Sequence, residues 1–451
     1  MEILAKSPPG TSLPSLGRYE VVVVGSGSAG SPAAIAAARA GAKVLLIEKL
    51  PFLGGVSTAV LDTFYGFYTP GSRPAKVVGG IGDDVIAGLR RRGDVLERPN
   101  TYGAGTGVTY LAEHLKVVWE DLVTGAGVRV LLHAFLQGAA VDDGRITELV
   151  VATKAGLHRV EAEVFIDASG DADLCHFAGF DYELAGALSP AQTLTTTFRM
   201  VNVNHVLRGE IGKDELHALM GAAADSGDYD LPRREGSDHI TPVEGMTATV
   251  MTRIDQVRTD EAGRFRNATD PDVLTAAEME GRRQALEYAR FLIDRVPGYQ
   301  QARLVALSSQ IGLRETRRVY GDYRITRDDV LSARQFDDQI GLCGAPIEDH
   351  GAGAGTNWEY LPDGTAVGIP LRTLIPRDGV NALMAGRCFS AEHDAQASIR
   401  SMAQCMAMGQ AAGTVAALAV HSRSDVRSVD SGALLDRLRR DGAILSLGEA
   451  G

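Results

Sequence analysis

The segment Gly25-Ser26-Gly27-Ser28-Ala29-Gly30 constrains this chain more than any other. It follows four consecutive valines at positions 21–24, a β-branched run that suits a strand buried on both faces. It precedes the alanine-rich residues 32–40, a good helix former closed by Gly41. Residues 42–47 are a second apolar run, ending at Glu48. This order predicts a βαβ unit with two parallel strands, and hence an α/β fold. Gly25 permits the tight turn, Gly27 lets backbone approach a pyrophosphate, and Gly30 lets the helix close on the strand. The helix start at Ser28 and Ala29 offers unpaired N–H groups to phosphate oxygens. Glu48 is placed to accept from a ribose hydroxyl, and an acid there favours FAD or NAD over NADP.

A length of 451 residues suits two or three domains. Glycine is abundant, 52 residues, but scattered without period, which excludes collagen-like and low-complexity chains. Lys and Arg sum to 45 against 57 Asp and Glu, and no long basic run appears, so nucleic acid is not an expected partner. The four cysteines form no CxxC pattern, so neither a metal site nor a disulfide framework is expected. Buried thiols in a cytoplasmic protein are the expectation instead. Residues 1–18 hold three prolines and no continuous apolar run, and read as a flexible tail rather than a signal peptide. Residues 402–420 are uncharged and apolar enough to resemble a membrane span, but Ala, Gly, Met and Gln dominate them. Such a composition predicts a buried helix packed on a sheet, and no membrane partner. Self-association is left open.

Further motifs follow in order. Lys49 leads to Gly54-Gly55-Val56-Ser57-Thr58. Residues 128–167, Leu136 among them, read as a meander of short strands with turns at Asp142-Asp143-Gly144 and Ala155-Gly156, ending in Ala168-Ser169-Gly170-Asp171. A strand at 382–385 ends in Gly386-Arg387 and leads through His393 into residues 398–414. Together with residues 313–321 and 368–372, these segments resemble the FAD-dependent oxidoreductases of the glutathione-reductase-like fold. That group is broadly related to fumarate-reductase and succinate-dehydrogenase flavoproteins. The resemblance implies an FAD-binding Rossmann domain with an inserted, mixed α+β substrate domain. It divides the chain into a tail (1–18), an FAD-binding domain in two parts (19–184 and 370–424), a substrate domain (185–369) and a C-terminal helical tail (425–451). It also implies FAD contacts at Lys49, Gly54, Gly55, Val56, Ser57, Leu136, Ala168, Ser169, Gly170, Gly386, Arg387, Ser398, Ile399 and Met402. The helix after Gly386 would aim its N-terminus at the flavin pyrimidine oxygens, with Arg400 stabilising the negative charge of the reduced ring. One departure stands out: Arg387 occupies a position where relatives often carry Asp. An arginine cannot accept from ribityl hydroxyls, so backbone or Ser390 must do so, and an ion-pair role for Arg387 is as well supported as a cofactor role.

The chain has no second complete GxGxxG, no paired cysteines and no match to the flavin-hydroxylase pattern after Gly386. Hydride transfer from a small organic substrate to flavin N5, as in a dehydrogenase or oxidase, is the leading expectation. The alternatives are a flavin-dependent C=C reductase, a flavin monooxygenase and a non-catalytic flavin-binding protein. His393, just before the last helix, is the candidate for proton transfer. His350 flanks the glycine-rich loop 351–355, either as a catalytic group or as a surface side chain. Arg314 and Arg400 suit a carboxylate clamp or carbonyl polarisation, although Glu315, Arg317 and Arg318 allow a structural ion-pair cluster around Arg314 equally. Tyr65, Phe67, Tyr68 and Trp358 are candidates to wall the flavin face and contact substrate. Asp270-Pro271 predicts the N-cap and first position of a helix ending before Pro297.

Overall fold

A computed structural model of the protein describes residues 13–93, 95–99, 103–351 and 355–448. The predicted unit is present as strand β1 (Ser15–Val24), helix α1 (Gly30–Arg39) and strand β2 (Val44–Ile47). Residues 21–24 pair in parallel with β2 on one side and with residues 164–167 on the other, so all four valines are buried. Burial from both faces and both edges explains the unbroken apolar run. Beyond β2 lies the parallel strand Arg129–Leu131. On the far side, Gly156–Asp167 continues into the antiparallel strands Arg145–Thr153 and Phe135–Asp142, as the meander predicts. The chain returns to this sheet much later, when Ala382–Met384 pairs in parallel with residues 165–167 and completes seven strands. The result is a mixed α/β architecture around a Rossmann-like parallel sheet.

One face of that sheet is covered by α1 and the helix Met402–Ser422, the run that has the length and apolarity of a membrane span. Nearly all of that helix is buried, and its small residues show why. A Cβ on Gly409 would lie 2.0 Å from the carbonyl oxygen of Ala29, and one on Gly413 would lie 2.1 Å from that of Ala33. The two helices therefore meet backbone to backbone, which only glycine permits.

A second, four-stranded antiparallel sheet runs in the order Ser237–Ile240, Thr247–Val250, Phe198–Val201, Arg303–Leu307. The helix Pro271–Arg295 covers it, burying Tyr288, Phe291 and Leu292 with Phe198 and Met200. Asp270 caps that helix as expected, accepting from the backbone N–H groups of Asp272 and Val273.

One expectation is corrected. Residues 15–18 are not tail, because they belong to β1 and pair with the Gly156–Asp167 strand; residues 1–12 lie outside the described residues. The C-terminal segment is helical at Ser431–Arg440, and Leu434, Leu438 and Leu445 join the main core. Within residues 313–321, Arg317–Val319 forms a short strand that pairs with Tyr182–Leu184 and not with the second sheet. Of the glycine-rich loop, residues 352–354 lie outside the described residues. All four cysteines are buried and unpaired.

The helix contact yields a paired test. Gly409→Ala and Gly413→Ala should each destabilise by about 1–3 kcal/mol in chemical denaturation, because the new methyl has no room. Gly221→Ala, on the exposed side of the helix Lys213–Ser226 with nothing near its Cβ position, should stabilise by about 0.5–1 kcal/mol. Equal effects at all three positions would contradict the packing described.

Candidate active site

A cavity of about 940 Å³ lies between the two sheets. Its wall includes Gly25, Gly27, Ser28, Ala29, Glu48, Lys49, Gly55, Val56, Leu136, Ala168, Ser169, Gly170, Gly386, Arg387, Arg400 and Met402, all singled out from sequence. Arg314, His350, Tyr65 and Trp358 line it as well. Gly30, Gly54, Ser57, Ser398, Ile399, Tyr68 and His393 do not.

One end is built from glycine turns pressed together. The space for a Cβ on Gly25 is filled by the carbonyl of Ala168 at 2.4 Å, so the first and third motifs are in contact. Gly54 and Gly55 fold back on the first turn: the Gly54 N–H donates to the Ser26 carbonyl at 3.0 Å, and a Cβ on Gly55 would sit 2.9 Å from the Cα of Gly27. Gly54 and Ser57 thus shape the wall from behind, with the Ser57 hydroxyl donating to the Gly54 carbonyl at 2.7 Å. The Glu48 carboxylate accepts from the Ser26 N–H (2.8 Å), the Ser26 hydroxyl (2.6 Å) and the Leu50 N–H (2.8 Å). A carboxylate has about four lone-pair sites, so Glu48 keeps one for a ligand hydroxyl. Helix α1 begins beside it with no side-chain cap and no acid in its first turn, and the buried Ser28 hydroxyl has no partner among the described residues. This surface fits the pyrophosphate and ribose of a dinucleotide.

Arg387 reaches across the Gly170 turn to Asp171, 3.0 Å away, while still facing the cavity. The ion-pair role and a place on the cavity wall therefore coincide. Ser390 is fully buried and off the wall, which removes it as an acceptor for a ligand in the cavity. The helix expected to run continuously through residues 398–402 is broken. His393–Ile399 ends before Arg400, and a new helix starts at Met402 without a side-chain cap. Ser398 and Ile399 lie in the last turn of the first piece, buried away from the cavity, and the Ser398 hydroxyl donates to the Ala345 carbonyl at 2.6 Å. Ser401 and Met402 bring the second helix start to the cavity wall.

The other end is charged. His350 is 3% exposed and is not a surface side chain. Its Nε2 lies 3.0 Å from Glu348 and its Nδ1 3.1 Å from the Thr356 hydroxyl. A carboxylate only accepts, so the ring proton belongs on Nε2. Burial first, then the charge of Arg314, holds the His350 pKa down at about 3. Burial would raise the Glu348 carboxyl, but His350, Arg400 and Arg314 outweigh it and bring it to about 2. His393 sits at the start of its helix, its Nδ1 3.0 Å from Glu315 and its Nε2 3.2 Å from Asp349. Both ring nitrogens are occupied and the side chain is off the wall, so the structure does not bring His393 to the cavity as expected. Glu315 also pairs with Arg318, which makes the expected ion-pair cluster real but centred on Glu315 and Arg318 and not on Arg314.

No sequence motif marks Asp62, Arg98, Arg233, His239 or Glu348, yet all five lie on the cavity wall. Asp62 is buried and accepts from His239 Nε2 at 2.9 Å, with Arg199 at 3.5 Å behind it. Burial opposes its charge, yet His239, Arg199 and Arg98 together hold its carboxyl below the usual range. Arg98 donates to the Tyr65 hydroxyl at 3.1 Å and so holds that ring on the wall.

A glycine-lined dinucleotide cradle opening into a charged chamber defines a nucleotide-cofactor oxidoreductase. The chain belongs to the FAD dependent oxidoreductase family, which it matches over residues 20–440. It is accordingly an enzyme, and FAD is its cofactor. Digeranylgeranylglycerophospholipid reductase 2 of Methanopyrus kandleri is 28% identical over 237 residues, 49% of this chain and 54% of that protein. Digeranylgeranylglycerophospholipid reductase 1 of the same organism is 33% identical over 164 residues, 34% of this chain and 40% of that protein. The chain thus spans about half or less of the curated relatives it matches. A solved geranylgeranyl bacteriochlorophyll reductase-like protein of Thermoplasma acidophilum, 14% identical, aligns over 96% of this chain and 86% of its own with a TM-score of 0.44.

The buried neutral His350 predicts acid sensitivity. The unfolded chain takes up a proton near pH 6.5 and the folded one only near 3, so stability falls as pH drops through that window. Between pH 7 and pH 4 this residue should account for roughly 3 kcal/mol of lost stability. His350→Gln, which keeps a donor toward Glu348, should flatten the pH dependence of denaturation by that amount; an unchanged slope would show that His350 is not held neutral.

Proposed function

We propose that this FAD enzyme passes a hydride between its flavin and a small organic substrate held at the charged end of the cavity. The observation that carries this reading is continuity. One cavity holds the glycine cradle, the start of the Met402 helix and the Asp62–His239 pair. When bound, FAD supplies two-electron chemistry that protein side chains lack. The cradle fixes the dinucleotide end by backbone contact, and the two uncapped helix starts direct their dipoles into the cavity. The order of the glycine motifs further supports a glutathione-reductase-like form of the fold.

Hydride loss from an alcohol or amine carbon leaves a proton to be removed from the heteroatom, and His239 is the group placed to take it. Its Nε2–H is committed to the Asp62 carboxylate, so Nδ1 carries the lone pair, and no described residue bonds it. Asp62 orients the ring and stabilises the cation formed. A second reading is supported by the names of the curated relatives: reduction of a carbon–carbon double bond, with His239, first protonated at Nδ1 from solvent, giving that proton to one carbon as hydride reaches the other.

Anaerobic mixing of the yellow enzyme with alcohols, amines and hydroxy acids tests the first reading. At least one class should bleach the flavin band, and His239→Gln should slow bleaching roughly 10²–10⁴-fold with FAD content unchanged. Reduced enzyme that no saturated substrate produces, but that an alkene reoxidises, would favour the second. Bleaching as fast in His239→Gln as in the unaltered enzyme would remove His239 from the reaction.

A further inference from the structure

Three guanidinium groups from separate segments face the charged end of the cavity: Arg233 before the strand Ser237–Ile240, Arg314 after the strand Arg303–Leu307, and Arg400 at the break before the Met402–Ser422 helix. None has a carboxylate partner among the described residues. Arg314 donates through Nη1 to the Thr193 carbonyl (2.7 Å) and the Thr195 hydroxyl (2.8 Å), leaving Nε and Nη2 free. Arg400 donates through Nη2 to Gln192 (2.9 Å) and to the Glu348 carbonyl (3.3 Å), and its buried Nε has no partner. Arg233 reaches only the Val250 carbonyl at 3.2 Å, with Nε again buried and unpaired. Every acceptor supplied by the protein is neutral.

Off the cavity wall, buried Arg318 is gripped by Glu183 and Glu315 and Arg317 meets Asp173 at 3.0 Å, whereas Arg253 meets only the carbonyls of His350, Gly351 and Gly355. Of the carboxylates near these groups, Glu348 is engaged by His350, and Glu235, also on the wall, accepts from the Thr356 N–H at 3.1 Å. Burial, then Arg400 and Arg233, disfavours the charge on Arg314, so the cluster repels itself until an anion enters. The cofactor does not supply that anion, because its pyrophosphate fits the α1 start and its oxidised ring is neutral.

Resting on the hydride-transfer reading above, we infer that the substrate is an organic acid whose carboxylate binds between Arg314, Arg400 and Arg233. The free Nε–H and Nη2–H of Arg314 form one edge of the guanidinium, two parallel donors that match the two oxygens of a carboxylate. Arg400 and Arg233 complete the charge from other directions. The threonine contacts behind Arg314 hold its plane, and Glu348 offsets part of the repulsion while staying out of the way.

Calorimetric titration of oxidised, FAD-loaded enzyme with acetate, malonate and benzoate tests this, with inorganic phosphate as a separate arm. At least one carboxylate should bind once per chain, more weakly as salt rises. Arg314→Gln and Arg233→Gln should each weaken it tenfold or more at unchanged FAD content. Arg314→Lys, which keeps the charge and loses the fork, covers the case in which Arg314→Gln does not fold, and it should weaken binding severalfold. No carboxylate binding, binding indifferent to these variants, or binding of phosphate alone would each overturn the inference. A yellow enzyme that binds no carboxylate would leave hydride transfer standing, whereas a protein that takes up no FAD would remove the reading beneath both.

Discussion

The contact on which the rest of this structure depends is the backbone-to-backbone crossing of α1 and the Met402–Ser422 helix. Gly409 and Gly413 lie against the carbonyls of Ala29 and Ala33, and Gly30 lies against Gly25, with no side chain between them. Many small dispersion contacts replace a few large ones, and the gain depends on close approach. That approach also sets function. It places two helix starts, separated by nearly the whole chain, at the same cavity, and so gives one ligand two aligned dipoles. An added methyl at the crossing would push the helices apart and separate the two halves of the cradle.

Around this neutral frame the charges are sorted by distance from the glycine turns. At the cradle, Glu48 is already bonded by Ser26 and Leu50, so it is oriented before any ligand arrives. At the far end, burial keeps His350 neutral while Asp62 and Glu348 stay ionised beside cations. The site thus carries a fixed proton position on His350 Nε2 and a His239 ring held by its Nε2 against the Asp62 carboxylate. Fixed positions of this kind lower the reorganisation needed when charge moves.

The legible parts of the fold were those encoded locally. The β1–α1–β2 unit, the meander and the Asp270 cap each follow from neighbouring residues, and the burial of the 402–420 run follows from its composition. The glycine cradle was readable because a missing side chain leaves a mark in sequence. Long-range placement was not. His393 looks free in sequence, but Glu315, from the loop before Arg317–Val319, and Asp349, from the strand Ile347–Asp349, occupy both its nitrogens. His239 and Arg233 lie in the stretch 187–296, which carries no motif that points to a cofactor or substrate, and acquire meaning only when the second sheet folds over the first. The helix break at Arg400 and Ser401 has no glycine or proline to announce it.

The central claim is that this chain binds FAD in the cradle, and cofactor identification after gentle purification tests it most directly. The account predicts a yellow protein that carries one FAD per chain, identified by mass after denaturation or on the flavin peptide. It also predicts that Gly27→Val, which blocks the turn nearest the pyrophosphate, gives a folded but colourless chain. A colourless unaltered protein that cannot be reconstituted with FAD, or a Gly27→Val variant that keeps full flavin content, would contradict it.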